Sequence, residues 1–207
     1  MDYDQRSFDL EIRAEENGKL VGYASVFDSW SEDLGGFREI VRPGAFAKTL
    51  QESNDVRALF NHNPDNVLGR NKAGTLELVE DSRGLRVTID PPDTTWAQDL
   101  GVSVKRGDIN QMSFAFKTIK DRWFQEDDEN KRELLEVSLD GGDVSIVTYP
   151  AYRKTRVSKR AIDKVNQMNE PEEPAYDHSA EQAASALAAK KRRLEHIEKT
   201  IFIGESI

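Results

Sequence analysis

The sequence predicts a mainly β protein with a few short helices, an α+β fold whose strands form a small antiparallel barrel or sandwich. Three observations support this class. Short apolar stretches alternate with polar residues at period two, turn signals such as Asn17-Gly18 separate them, and only brief helical patterns lie between them. The chain has 207 residues, enough for one well-filled domain with a remainder rather than two full domains.

The expected elements follow closely on one another in the first 150 residues. Residues 6–12 and 19–27 are predicted to pair as a hairpin, because Asn17-Gly18 suits a tight turn. Short helices are predicted at residues 45–50 and 96–105. Further strands are predicted at residues 37–41, 56–60, 69–78, 84–89, 111–119, 134–139 and 144–147.

We expect the globular domain to comprise residues 1–155. Residues 156–178 are polar and broken by proline, which predicts a flexible linker that is easy to cleave. Residues 179–207 contain an alanine-rich, charged stretch of good helix formers. This helical tail carries Lys190-Lys191-Arg192-Arg193 beside aliphatic residues, so it fits a segment that docks on a partner, and a solvated charged helix fits equally well.

Composition excludes several classes of function. The formal net charge of -9 and the pI near 5.0 disfavour nucleic acid and membrane surfaces as partners. The absence of cysteine excludes disulfides, zinc-thiolate sites and cysteine catalysis. No apolar run approaches the ~20 residues that span a bilayer. We therefore expect a soluble, intracellular protein.

The stretch from residue 111 to 117 supplies the candidate nucleophile. Met112, Phe114 and Phe116 share one face of the predicted strand, which indicates that this face is buried. Ser113 lies on the opposite face, and the burial of the apolar face would hold it in a fixed position. A serine is a poor nucleophile by itself and needs a general base within hydrogen-bond reach, usually with a third group that orients the base.

The candidate base is His62. The other two histidines, His178 and His196, lie in the tail, whereas His62 follows a predicted strand and precedes Pro64. Loops at strand ends commonly carry functional side chains. A lone histidine in such a turn is nevertheless more often structural, and a lone strand serine is more often a spectator.

Two carboxylates are candidates for the third group. Glu136 lies on the predicted strand 134–139, from which it can accept the imidazole proton and stabilise the imidazolium. Asp143 is the second candidate, because its place after two glycines also suits a turn former. Residue types and spacing alone therefore support only a weak triad.

Three blocks of sequence make the hypothesis more specific. In order they are GYASVF (22–27) with EIVRPGAF (39–46), LFNHN (59–63) with LGR (68–70), and RGDINQMSFAF (106–116) with DVSIVTYPAY (143–152). Together they resemble the prohead proteases of tailed bacteriophages, the capsid-maturation serine proteases related to the herpesvirus protease assemblin. The resemblance covers roughly residues 19 to 155.

The resemblance implies a fold and a set of roles. The fold is an assemblin-like antiparallel barrel surrounded by short helices, and neither a metal nor a cofactor is needed. His62 matches the general base and Ser113 the nucleophile. Glu136 takes the place of the histidine that is the third member in assemblins. The arginine pair that serves the assemblin oxyanion hole has no match, which leaves backbone N–H groups around Gly141-Gly142 or Tyr152-Arg153 as candidates.

The resemblance also implies partners and a location. Such an enzyme works within the phage procapsid in the host cytoplasm, where it removes scaffold protein or the scaffolding segment of the major capsid protein, and often its own terminal region. The relation to assemblin further implies self-association. The tail then fits either a segment that docks on capsid or scaffold, or a substrate for self-cleavage.

Two rival functions remain. One is a non-catalytic capsid-associated structural or scaffolding protein that uses the same barrel as an interaction module. The other is a carboxylate-based hydrolase that uses Asp108, Glu136 or Asp143. We rank the second lower, because the sequence lacks a paired arrangement of carboxylates outside the charged runs that are typical of solvated loops.

Overall fold

The computed structural model describes residues 3–8, 12–52, 54–149, 157–169 and 190–192. The chain divides into two compact units, Met1–Asn169 and Glu170–Ile207. All elements described below belong to the first unit. The predicted helical tail, residues 179–207, lies outside the described residues except for 190–192.

The described residues of the first unit form ten strands and three α-helices. The strands are β1 (Asp4–Phe8), β2 (Arg13–Ala14), β3 (Leu20–Val26), β4 (Arg38–Val41), β5 (Arg57–Phe60), β6 (Asn63–Arg70), β7 (Leu76–Glu80), β8 (Gly84–Ile89), β9 (Gln111–Glu126) and β10 (Glu129–Val147). The helices are α1 (Ala47–Gln51), α2 (Thr95–Arg106) and α3 (Lys159–Asn169). Among the helices in the described part of the chain, none is long and apolar enough to cross a membrane.

The strands form two sheets. The larger has the order β1-β9-β10-β5-β6, with β4 also paired to β10, and the smaller has the order β2-β3-β8-β7. Side chains from both sheets and from α2 share one hydrophobic core. The mainly β, α+β class is confirmed. The expected closed barrel is not seen, since neither sheet closes on itself within the described residues.

Strand β10 holds the larger sheet together. It pairs antiparallel with β9, parallel with β4 through its first half, and parallel with β5 through its second half. The sequence predicts two strands here, at 134–139 and 144–147. They are one strand, because Gly141-Gly142 lies in an irregularity of the ladder between Ser138 and Asp143 and not in a turn.

Two other predicted strands differ from the structure. The partner of β3 in the hairpin is the short strand β2, whereas β1 pairs with β9 in the other sheet. The predicted strand 69–78 is two strands, β6 and β7. A 3-10 turn, Asn71–Ala73, separates them, and Gly74 ends it with a φ of 73° that favours glycine.

The apolar face of β9 is buried as predicted. The side chains of Met112, Phe114 and Phe116 are fully buried in the core. The rings of Phe114 and Phe116 stack with their centroids 4.7 Å apart, and Phe46 meets Phe114 edge-on at 5.6 Å. Burial of each such side chain stabilises the fold by about 1.5–3 kcal/mol. This packing fixes the direction in which the opposite face of β9 projects.

A buried network of ion pairs joins β1, β4, β9 and β10. Arg132 is fully buried and donates to Glu39 at 2.8 Å and to Asp121 at 3.0 Å. Arg6 donates to the same Glu39 at 2.8 Å and lies 3.5 Å from Asp4. Burial of charges is costly unless each one is paired, and here every carboxylate faces a guanidinium.

Helix α3 occupies part of the predicted linker. Its side chains Ala161 and Val165 pack with Phe37 and Trp123 in a second, smaller apolar cluster. The Ser158 backbone N–H just before α3 donates to the Asp4 carboxylate at 2.8 Å. The compact unit runs to Asn169 and includes α3, whose apolar face packs on the strands.

Candidate active site

Ser113 lies on an interior strand of the larger sheet. Its strand β9 is flanked by β1 and β10, and its register partners on the two sides are Ser7 and Ser145. The alternation of side chains turns Ser113 away from Phe114 and the core. With a relative exposure of 0%, Ser113 is inaccessible to solvent on this face too.

His62 lies in the turn between β5 and β6. Phe60 pairs with Asn63, so Asn61 and His62 form a two-residue loop, and both have a φ of 55°. Positive φ at both central positions is typical of the type I′ turn that suits tight hairpins. Asn and His enter this left-handed region more readily than most residues, which explains why the sequence can place an imidazole there.

The side chain of Asn61 fixes this turn to the end of β10. Its Oδ1 accepts the backbone N–H of Thr148 at 2.9 Å, and its Nδ2 donates to Thr148 Oγ1 at 3.1 Å. The backbone N–H of Asn61 donates to the carbonyl of Ile146 at 2.8 Å. These three bonds hold the turn against the strand that carries Asp143.

Three predicted candidates meet through the His62 ring. His62 Nε2 lies 2.8 Å from Ser113 Oγ, and His62 Nδ1 lies 2.7 Å from Asp143 Oδ1. The side chains of His62 and Asp143 are only 18% and 15% exposed. The low exposure limits competition from water for these two hydrogen bonds.

The two contacts assign opposite roles to the two ring nitrogens. An ionised carboxylate can only accept, so Nδ1 carries the proton that is donated to Asp143. In the neutral ring Nε2 is then an acceptor, and it faces the hydroxyl of Ser113. This arrangement can take the serine proton as the serine attacks a carbonyl carbon, while Asp143 stabilises the resulting imidazolium.

Glu136, the first candidate for the third member, does not take part in this arrangement. It pairs across the ladder with Lys120, seven positions along β9 from Ser113, or roughly 24 Å at ~3.4 Å per residue. Its carboxylate instead accepts a hydrogen bond from Lys48 Nζ at 2.9 Å. Asp143 pairs with Ala115, only two positions from Ser113.

Ser145 is a residue of the site that sequence reasoning missed. Its Oγ donates to Asp143 Oδ1 at 2.5 Å and accepts the backbone N–H of His62 at 3.2 Å. Residues 143 and 145 share one face of a strand at period two. This period-two spacing is visible in the sequence. It indicates the site only if Asp143 lies on the strand, and the predicted strand begins at residue 144.

An ion pair closes the far end of the hairpin that carries His62. Arg70 donates to Asp55 through Nε at 2.7 Å and through a second nitrogen at 2.6 Å. This hydrogen bonding lowers the pKa of Asp55 to about 2. The pair joins the segment just before β5 to the end of β6, so it helps to fix the register of the hairpin.

Of the two candidate segments for the oxyanion donors, the structure describes only one, Gly141-Gly142. Gly141 and Gly142 lie in the irregular part of β10 next to Asp143. A Cβ at Gly142 would overlap the carbonyl oxygen of Ala115, so the strands approach there as closely as only glycine permits. Tyr152-Arg153 lies outside the described residues.

In the part of the chain that the structure describes, no cluster of His, Asp and Glu could hold a metal ion.

The hydrogen-bonded series Ser113, His62 and Asp143 has the layout that serine hydrolases use for acyl transfer. The sequence pattern of the caudovirus prohead serine proteases matches residues 8–169, most of the first unit. The chain therefore belongs to that family and is a serine protease. Neither a curated protein nor a solved structure matches it.

Proposed function

We propose that this chain is the maturation endopeptidase of a phage prohead and that Ser113, His62 and Asp143 are its nucleophile, general base and orienting carboxylate. The observation that carries the proposal is the continuous series of two short contacts through the His62 ring. Family membership supports a serine peptidase mechanism in general. The assignment of the three residues rests on their geometry.

The proposed reaction has two stages. Ser113 Oγ attacks the scissile carbonyl carbon as its proton passes to His62 Nε2, and the C–N bond then breaks as that proton moves to the leaving amine. This leaves the acyl group on Ser113. Water next gives a proton to His62 and its oxygen to the acyl carbon, which releases the carboxylic product and restores the serine hydroxyl.

Asp143 replaces Glu136 in this proposal. An orienting carboxylate must lie within hydrogen-bond distance of Nδ1, and Asp143 Oδ1 lies there at 2.7 Å. The carboxylate of Glu136 is engaged with Lys48 at the surface, where the lysine side chain is 61% exposed. Glu136 is thus left as a surface ion-pair partner with little influence on the reaction.

We propose as substrates the scaffold protein or the scaffolding segment of the major capsid protein, and the chain itself. Membership of a prohead protease family supports capsid proteins as the substrate class and the procapsid as the place of action. Self-association and self-cleavage in the segment after Asn169 complete the proposal. The polar, proline-containing sequence from residue 170 to 178 supports a cleavable site there.

A fluorophosphonate probe and intact mass spectrometry test the nucleophile directly. The full chain is incubated with the probe beside Ser113→Ala, His62→Gln and, as a matched control from the same sheet, Ser138→Ala. We expect one adduct on the wild type and on Ser138→Ala, but none on Ser113→Ala and little on His62→Gln. Equal labelling of Ser113→Ala would refute the proposed nucleophile.

Self-cleavage is measured in the same samples without probe, at high protein concentration. We expect the wild type to lose a C-terminal segment over time while Ser113→Ala keeps its full mass. Identical trimming of both chains would identify a contaminating protease. That outcome would contradict self-processing, while the labelling result would still stand.

A further inference from the structure

Ser145 occupies a central position that the reaction itself does not use. It lies on β10, opposite Ser113 on β9 and opposite Leu59 on β5, so it has a strand on each side. The residue is fully buried. A buried hydroxyl is costly unless it is hydrogen-bonded, so the partners of Ser145 Oγ define its role.

Those partners are two parts of the proposed catalytic machinery. Ser145 Oγ accepts the backbone N–H of His62 at 3.2 Å and donates to Asp143 Oδ1 at 2.5 Å. The same Oδ1 faces the Nδ1 of His62 at 2.7 Å. One hydroxyl therefore ties the backbone of the base to the carboxylate atom that orients its ring.

The direction of each bond follows from chemistry. The hydroxyl has a single hydrogen, and Asp143 as a carboxylate can only accept it. The oxygen lone pairs of Ser145 are left to accept the N–H of His62, a backbone group in a turn with positive φ. Without this acceptor the half-buried N–H would lose its partner, which is unfavourable away from water.

We propose that Ser145 is a positioning residue that holds both the His62 turn and the Asp143 carboxylate in register with Ser113. The inference rests on the proposed function, since it takes His62 and Asp143 as base and orienting group. Ser145 does not touch the substrate. It acts by fixing the distance from His62 Nε2 to Ser113 Oγ and by giving Asp143 Oδ1 a second donor.

The test uses fluorophosphonate inactivation of the full chain, resolved into the maximal inactivation rate kinact and the half-saturation constant KI. Ser113 Oγ forms a bond to phosphorus, fluoride leaves, and His62 takes the proton. For Ser145→Ala we expect kinact to fall about 10- to 100-fold, as for loss of a hydrogen bond to a charged group, with KI unchanged. Ser145→Thr, which keeps the hydroxyl, should recover most of the rate.

Ser25 provides the matched control. It is also a fully buried strand serine, and its hydroxyl has no hydrogen-bond partner among the described residues. Ser25→Ala should therefore leave kinact within about twofold of wild type. If Ser145→Ala fails to fold, Ser145→Cys supplies the comparison, because a thiol fills similar space but is a weak donor and acceptor.

Proton NMR gives a readout that overall stability does not move. In a Ser113→Ala background, the Nδ1 proton between His62 and Asp143 should give a resonance far downfield of the amides, assigned by its loss in His62→Gln. Adding Ser145→Ala should shift or broaden it, and adding Ser25→Ala should not. An unmoved resonance with an unchanged kinact in Ser145→Ala would overturn the inference.

The two proposals fail in distinguishable ways. If labelling survives in Ser113→Ala or is unaffected in His62→Gln, the proposed function itself is wrong. If those variants lose labelling while Ser145→Ala and Ser145→Cys keep it, then only the role of Ser145 is wrong.

Discussion

Ser113 and Asp143 project from the same face of two adjacent antiparallel strands. Asp143 pairs with Ala115, and Ser145 pairs with Ser113, so the side chains of Ser113, Asp143 and Ser145 form one small polar patch on the face of β9 opposite its apolar face. The His62 turn at the end of β5 reaches over this patch. The site is thus built from the pleat of a sheet and one two-residue turn.

The first prediction separates the two candidate carboxylates. Asp143→Asn should lower kinact toward the fluorophosphonate by roughly 10³- to 10⁴-fold, because an amide can hold the ring in the wrong tautomer and cannot stabilise an imidazolium. Glu136→Gln removes only a surface pair with Lys48 and should keep the rate within about twofold. The reverse ranking would restore Glu136 as the third member.

The second prediction compares a glycine in a crowded position with a glycine that has open space around it. Gly142→Ala should destabilise the fold by about 1–3 kcal/mol and slow labelling of Ser113, because the new methyl overlaps Ala115 beside Asp143. Gly101 lies within α2, where an added Cβ meets nothing within 4 Å. Gly101→Ala should stabilise by about 0.5–1 kcal/mol. Urea unfolding of both variants measures each change.

The third prediction is a pH dependence of stability. Because Arg70 lowers the pKa of Asp55 to about 2, below the ~3.9 of an unfolded chain, the pair contributes its full stabilisation above about pH 4. That stabilisation is lost as the pH falls toward 2. The difference in urea midpoint between wild type and Asp55→Asn should therefore shrink over this window.

Arg70→Met is the control for this pH effect. In that background Asp55 has lost its principal partner, so Asp55→Asn should produce a much smaller pH-dependent change in the midpoint. A difference that is as large at pH 2 as at pH 5 would show that the ion pair is not its source.

The fourth prediction compares a buried arginine with an exposed one. Arg132→Met removes the fully buried cation that Glu39 and Asp121 share. Each carboxylate keeps one guanidinium, Arg6 for Glu39 and Arg160 for Asp121, but the network loses a buried positive charge, which should cost up to about 3–5 kcal/mol of unfolding free energy. Arg106 pairs with Asp108 at the surface, where the side chains are 71% and 52% exposed. Arg106→Met should change stability by less than ~1 kcal/mol. Similar costs in urea unfolding would contradict a specific role for the buried network.

The sequence predicts that Ser113 lies on a strand and that His62 follows one, and the structure has Ser113 on β9 and His62 in the turn after β5. The period-two pattern of Met112, Phe114 and Phe116 predicts a buried face, and the fully buried side chains confirm it. The contact between His62 and Ser113 then depends on β5 lying two strands away from β9 with β10 between them. No local sequence pattern indicates this order of strands, because pairings between distant segments determine it.

The position of Asp143 was harder to predict for a physical reason. Two adjacent glycines before Asp143 favour a turn, and a turn there would carry Asp143 away from the sheet. In the structure the same glycines allow β10 to bulge against β9 and continue. Local preference was therefore overridden by pairing with the two strands that flank Asp143, β5 and β9.

The central place of β10 also orders events during synthesis. The His62 turn leaves the ribosome first and Ser113 next, but β5 and β9 are not joined in one sheet until β10, the last strand among the described residues, pairs with both. Its parallel pairing with β4 joins Lys131 to Arg38, a long-range contact that slows folding. A growing chain thus carries Ser113 and His62 before the strand that joins them has been made, so we expect Ser113 to be unreactive until translation has passed residue 147.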